Sequence, residues 1–157
     1  MEAIERIKES GMQLASGGII DYPGQTLQML AEDIHLTWKL NVSWVPIIPY
    51  LPVPGTPLAE EGGMGSLDLC LRTISILRLL LPDTHINAQQ PGKDPKLGLT
   101  NPEGNAKALN AGADILFLDL LKDQAGAFRV IEERQPINMD HLESVSSLSG
   151  MPLSFKR

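Results

Sequence analysis

Four places in this sequence set polar or aromatic groups where an apolar run stops: Asp21 with Tyr22, Pro49 with Tyr50, Gln89 with Gln90, and Asp119. Carboxylates and carboxamides in such places bind small polar ligands, or they cap and terminate the elements that carry them. On residue type alone Asp21 and Asp119 read as terminating carboxylates, and Gln89 and Gln90 as loop polars more than ligands. Tyr50 divides evenly between a ligand contact and a half-buried anchor. Groups suited to redox or nucleophilic chemistry are sparse. Cys70 is the only cysteine, and it falls among leucines in a helical run, where a thiol is a core residue. His35, His85 and His141 are scattered, with no metal-ligand spacing. Asn101-Pro102-Glu103-Gly104 could offer helix-end N–H groups to an anion, but a plain cap is the commoner use.

The elements that position these groups follow from periodicity. Residues 2–10 read as a short helix stopped by Gly11, and residues 12–20 as a strand. Leu27, Leu30, Ala31, Ile34 and Trp38 form one face of a helix with Thr26 as N-cap. "SWVPIIPYL" reads as a second strand ending near Ile48, with Pro49 and Tyr50 in the following loop. Pro46 within it costs a ladder hydrogen bond. Ser66 caps a helix whose apolar face is Leu67, Leu71, Ile74, Leu77 and Leu81. "THINAQ" is a third strand, opened by His85 at its structural end. Asn101 and Pro102 begin a helix that ends near Gly112, and "DILFLDL" is a fourth strand, apolar on both faces. Trp38 and Trp44 read as packing between helix and strand. Strand and helix alternating in this way argue an α/β fold of four consecutive parallel βα units. In such folds ligands bind at the carboxyl ends of the strands, where the polar groups above collect.

Composition narrows the function classes. The chain has 157 residues with 43% hydrophobic and 20% charged residues, which suits a globular domain with a sizeable core. A net charge of −6 without a basic run argues against a nucleic-acid surface. The most apolar stretch, "TISILRLLLP", is too short to span a bilayer and contains Arg78. The amino-terminal residues lack the apolar core of a signal peptide. A single cysteine suits a reducing compartment. The expectation is a cytoplasmic protein without nucleic-acid or membrane partners.

"SGGIIDYPGQT", "VPIIPYLPVPGTPLA", "RLLLPDTHINA" and "NAGADILF", in this order and spacing, resemble the second half of radical S-adenosylmethionine enzymes of the biotin synthase and HydE (diiron-hydrogenase maturase) type. The resemblance covers residues 1–131 and leaves 132–157 as a carboxyl-terminal tail or helix. It implies that the four units are the last four of a TIM-type (β/α) barrel, a half-barrel arc with two open sheet edges. It also implies S-adenosylmethionine as cofactor, with a 4Fe-4S cluster held by a CxxxCxxC loop in the other half. Cluster ligation takes several thiolates, so this chain with Cys70 alone would depend on that half. By resemblance Gly17, Gly18 and Ile19 belong to the GxIxG strand beside the cofactor's adenosine, with Asp21 replacing the second motif glycine. Ile48, Tyr50 and Leu51 match the segment that packs on adenine. Gln89, Gln90 and Asp119 fall on the substrate side. The implied partners are the complementary amino-terminal half-barrel, or a second copy through the open edges, and a small-molecule substrate. The alternative is a non-catalytic remnant or interaction module that keeps the half-barrel fold.

Overall fold

The computed structural model describes residues 2–92, 95–119 and 137–154. Helix α1 (Glu2–Glu9) leads to strand β1 (Gly18–Ile20), helix α2 (Leu27–Leu40) and strands β2 (Trp44–Val45) and β3 (Ile47–Pro49). Helices α3 (Pro57–Glu61) and α4 (Leu67–Leu80) follow, then strand β4 (His85–Ile86), a 3-10 segment over Pro95–Thr100, α5 (Pro102–Asn110) and α6 (Met139–Ser149). The expected N-caps are present. Thr26 Oγ1 accepts from Met29 N–H at 3.2 Å, Ser66 Oγ from Leu69 N–H at 3.2 Å and Asn101 Oδ1 from Gly104 N–H at 3.1 Å. Each satisfies a donor that the first helical turn leaves free.

The sheet is parallel throughout the described pairings. β1 pairs with β3 and β2 with β4, and isolated parallel bridges join Ala15 to Trp44 and Asn87 to Ile115. Two short sheets therefore replace the four full strands expected. The second strand breaks at Pro46, which has no N–H to give the ladder. Pro49, expected in the loop, is instead the last residue of β3, opposite Ile20. Between β3 and the chain after β4, side chains substitute for the ladder. Asn87 Oδ1 accepts from Ile47 N–H at 2.9 Å, and Gln90 Nε2 donates to Ile47 O at 2.6 Å. The fourth strand shrinks to the bridge at Ile115, whose carbonyl accepts from Ala88 N–H at 2.8 Å. Beyond it Phe117 is 43% exposed, so that segment is not covered on both faces.

Ile20, Val45, Ile47, Ile86 and Ala88 point to the helices and pack with Leu30, Leu40, Cys70, Ile74, Leu77 and Leu109 in one core. Fully burying side chains such as Ile74 and Leu77 stabilises the fold by about 1.5–3 kcal/mol each. Helix α2 is rotated from its expected face, whereas α4 buries Ile74, Leu77 and Leu81 of its expected face with Leu71 packed against the core. In α2 the buried side is Leu30, Thr37 and Leu40, while Leu27 and Trp38 are exposed. Thr37 tolerates this because its hydroxyl donates to Asp33 O at 2.8 Å. In α4 the buried side is Cys70, Thr73, Ile74 and Leu77, with Leu67 and Leu71 only half-buried. Thr73 likewise bonds back to Leu69 O.

The amino-terminal end of the sheet is tied by Arg78. Its guanidinium donates to the carbonyls of Gly112 at 2.7 Å, Pro82 at 2.8 Å and Thr84 at 2.7 Å, and reaches Asp114 Oδ1 at 3.0 Å. Asp114 in turn accepts from Ile86 N–H at 2.7 Å and meets His85 Nδ1 at 2.8 Å. At the other end α6, within the expected tail, packs on α5. His141 Nε2 lies 3.0 Å from Asn105 Oδ1, while Asn105 Nδ2 donates to Gln90 O and Leu99 O. Two carbonyl acceptors fix the amide's orientation, so Asn105 Oδ1 accepts and His141 Nε2 carries the proton.

Candidate functional site

The close approach that the paired glycines permit is to protein backbone. A Cβ on Gly17 would lie 1.8 Å from Pro46 O, whereas one on Gly18 would meet only Ile47 Cδ1 at 4.0 Å. Gly18 N–H donates to that same Pro46 carbonyl at 3.0 Å. Gly17 is thus the residue that lets β1 lie against the Pro46 break.

Asp21, in place of the second motif glycine, holds φ 60°. That left-handed conformation is the one a glycine adopts without strain, and Asp is among the side chains that tolerate it. Its N–H donates to Gln25 Oε1, and its Oδ2 accepts from Ser66 N–H at 2.8 Å. The carboxylate thus ties this left-handed corner to the start of α4. Gly65 seals the same corner. Its N–H donates to Tyr50 O, and a Cβ there would lie 2.6 Å from Ile20 O and 2.8 Å from Tyr50 N.

The face opposite the helices carries the alternate residues of each strand. Ile19 stands opposite Ile48 in the β1–β3 register. The β2–β4 pairing and the Asn87–Ile115 bridge, continued by alternation, bring Gln89 and Phe117 to the same row. Ile19 is 50% exposed, Ile48 half-buried and Gln89 only 5% exposed. Trp44 shares this face and meets Phe117 edge-on, their ring centres 5.7 Å apart at 85°. It is half-buried, as expected of a packing residue, whereas Trp38 lies outside, against His35 at 5.6 Å.

The remaining candidate residues are divided by the structure. Tyr50 is buried, its hydroxyl without a hydrogen-bond partner, and Leu51 is half-buried. Gln90 is fully buried and committed, donating to Ile47 O and accepting from Cys70 Sγ at 3.3 Å. Asp119 Oδ2 accepts from Ile137 N–H at 2.9 Å, and Asp119 N–H donates to Ile137 O at 2.8 Å. Only Gln89 has both its buried side-chain atoms, Oε1 and Nε2, without a partner. Sequence reading treated the two glutamines alike. What separates them is reach: Gln90 Nε2 meets the Ile47 carbonyl, whereas neither side-chain polar atom of Gln89 meets a partner.

The cluster that the resemblance implies does not fit these residues. Burial pushes the Cys70 thiol up to about 12, and it lies inside α4 bonded to Gln90. No group of three or more His, Cys, Asp or Glu among the described residues is arranged to hold a metal. Ile19 and Ile48 stand side by side near the carboxyl ends of β1 and β3. Among the described residues no helix is long and apolar enough to cross a membrane.

Comparison with known proteins returns relatives by sequence. The chain is 33% identical over 110 residues to the [FeFe] hydrogenase maturase subunit HydE of Thermotoga maritima, covering 70% of this chain and 30% of that protein. It is 41% identical over 83 residues to biotin synthase of Trichlorobacter lovleyi, covering 53% and 24%. With biotin synthase of Synechococcus it shares 32% over 124 residues, covering 77% and 35%. The chain is therefore related to radical S-adenosylmethionine enzymes of the biotin synthase and HydE type, and spans about a third or less of the relatives it matches. No protein-family model matches it.

Proposed function

We propose that this chain supplies the carboxyl-terminal half-barrel of a radical S-adenosylmethionine enzyme of the biotin synthase/HydE type, acting with a cysteine-bearing half that holds the cluster. The observation that carries this reading is the row that the parallel register gives Ile19, Ile48, Gln89 and Phe117 toward the carboxyl ends of the strands, with Ile19 and Phe117 exposed. Ile19 and Ile48 form the ledge for the cofactor's adenosine, and Gly17 and Gly18 set the strand beneath it. Tyr50 and Leu51 hold the segment behind that ledge. Gln89 serves the substrate side. Gln90 and Asp119 act there by positioning, through Ile47 and Ile137. When bound, S-adenosylmethionine supplies the group that is cleaved reductively. This chain's own part is to bind and orient it and to exclude water from one side. A half-barrel leaves sheet edges unpaired, and the complementary half covers them.

The test is co-expression with the cysteine-bearing part of a related biotin synthase. The expected product is a brown complex, with iron–sulfur absorption, that cleaves S-adenosylmethionine. The chain alone should stay colourless after anaerobic reconstitution. It should bind S-adenosylmethionine more weakly than about 1 mM, near −4 kcal/mol at best. Failure to form a complex favours the non-catalytic alternative, which the internal bonds of Gln90 and Asp119 also support. Micromolar cofactor binding by the chain alone overturns both.

A further inference from the structure

Gln89 is one of two adjacent carboxamides, and the only one with nothing to bond. It is 5% exposed, and its Oε1 and Nε2 are both buried without a hydrogen-bond partner. Buried carboxamides are nearly always bonded, and Gln90 beside it follows that rule fully. Continued by alternation, the β2–β4 pairing and the Asn87–Ile115 bridge set Gln89 in an apolar row between Ile48 and Phe117, and Trp44 meets the Phe117 ring edge-on. Trp44 Nε1 on the same face is also buried without a partner.

We propose that Gln89 anchors a neutral, planar ligand group that carries one hydrogen-bond donor and one acceptor side by side, as a carboxamide, a lactam or a nucleobase edge does. The inference rests on the ligand face proposed above and specifies what that face recognises. A carboxamide presents an acceptor and a donor in one plane, so a group with the reciprocal pair satisfies both atoms at once. A carboxylate would satisfy Nε2 and set its charge against Oε1. An ammonium would do the reverse. Neither suits a row of isoleucine and aromatic side chains, where an unpaired charge is costly. The isoleucines and the Trp44–Phe117 pair offer flat apolar surface to the rest of such a ligand.

The test uses the isolated 15N-labelled chain and needs neither cluster nor partner, so its failure and the failure of the co-expression experiment are distinguishable. The Gln89 side-chain NH2 signals, assigned by their loss in Gln89→Met, are followed during titration with 2-pyrrolidinone, adenosine and acetate. The expected result is a saturable shift of those signals with the lactam, the nucleoside or both, and none with acetate. Gln89→Met should bind the effective probe at least tenfold more weakly, read from the Trp44 indole signal. A response to lactam alone assigns the group to a substrate, and a response to adenosine alone assigns it to the cofactor. If neither probe moves the signals, or acetate moves them equally, the proposal is overturned. If Gln89→Met does not fold, the wild-type titration decides by itself. Undiminished binding by a folded Gln89→Met also overturns it.

Discussion

Replacing Gln89 and Gln90 separately by methionine should change stability in opposite directions, although the two are neighbours of identical chemistry. Gln89→Met keeps chain length and apolar volume and removes two buried polar atoms that have no partner. An orphaned buried polar group costs about 1–3 kcal/mol, so the variant should be more stable by about that amount. Gln90→Met removes the donor that serves Ile47 O at 2.6 Å and the acceptor for Cys70 Sγ. The Ile47 carbonyl is then left buried, and the same principle gives a loss of about 1–3 kcal/mol. In a protein of this size 1 kcal/mol moves Tm by about 2–4 °C. Thermal unfolding followed by circular dichroism should therefore place the two variants on either side of wild type, about 4 °C or more apart. Urea melts with equal slopes would confirm that stability, and not the unfolded state, has changed. A destabilised Gln89→Met would refute the reasoning, since it would show that the amide is satisfied in solution.

Other outcomes follow from the same structure. Gly17→Ala drives a methyl into the Pro46 carbonyl and should cost about 3 kcal/mol or more, whereas Gly18→Ala should stay within about 1 kcal/mol; chemical denaturation of both checks the contrast. Burial lowers the His141 pKa, so the unfolded chain takes up a proton first as pH falls below 6.5. Stability should decline from there down through the folded-state pKa, and His141→Gln, which can still donate to Asn105, should flatten that part of a Tm–pH profile. The Cys70 thiol is held up at about 12 against an ordinary 9.0. Its share of stability is complete below pH 9 and is lost as pH rises toward 12. At pH 8 the native thiol should react with a disulfide reagent only as fast as the protein opens, which a thiol-release assay reads directly.

The local signals in the sequence survived folding because they depend only on neighbours. Thr26, Ser66 and Asn101 cap their helices from three residues away, and such bonds need no tertiary knowledge. The α/β class with parallel pairing was legible for the same reason. The face of α4 was legible in Ile74, Leu77 and Leu81, but that of α2 was not. Turning α2 toward Thr37, and adding Thr73 to the buried side of α4, buries two hydroxyls, each bonded to its own helix four residues back, and hydropathy counts those residues as polar. Nor could the roles of Gln89 and Gln90 be separated in advance. That difference arises from which of the two reaches the Ile47 carbonyl on another strand. Asp21 was legible as a carboxylate at a strand end, but not its left-handed backbone or its bond to Ser66 N–H, forty-five residues away.

The Arg78–Asp114 tie fixes the start of the segment that follows α5. Arg78 draws the turns before β4 and after α5 together, and Asp114 anchors both its own chain and Ile86. One residue further on, Ile115 bridges to Asn87, donates to Ile86 O and accepts from Ala88 N–H. Amide hydrogens at Ile86 and Ile115, both bonded at this tie, should therefore exchange slowly. Side chains thus set the register at this end of the layer, where the described backbone contributes a single bridge.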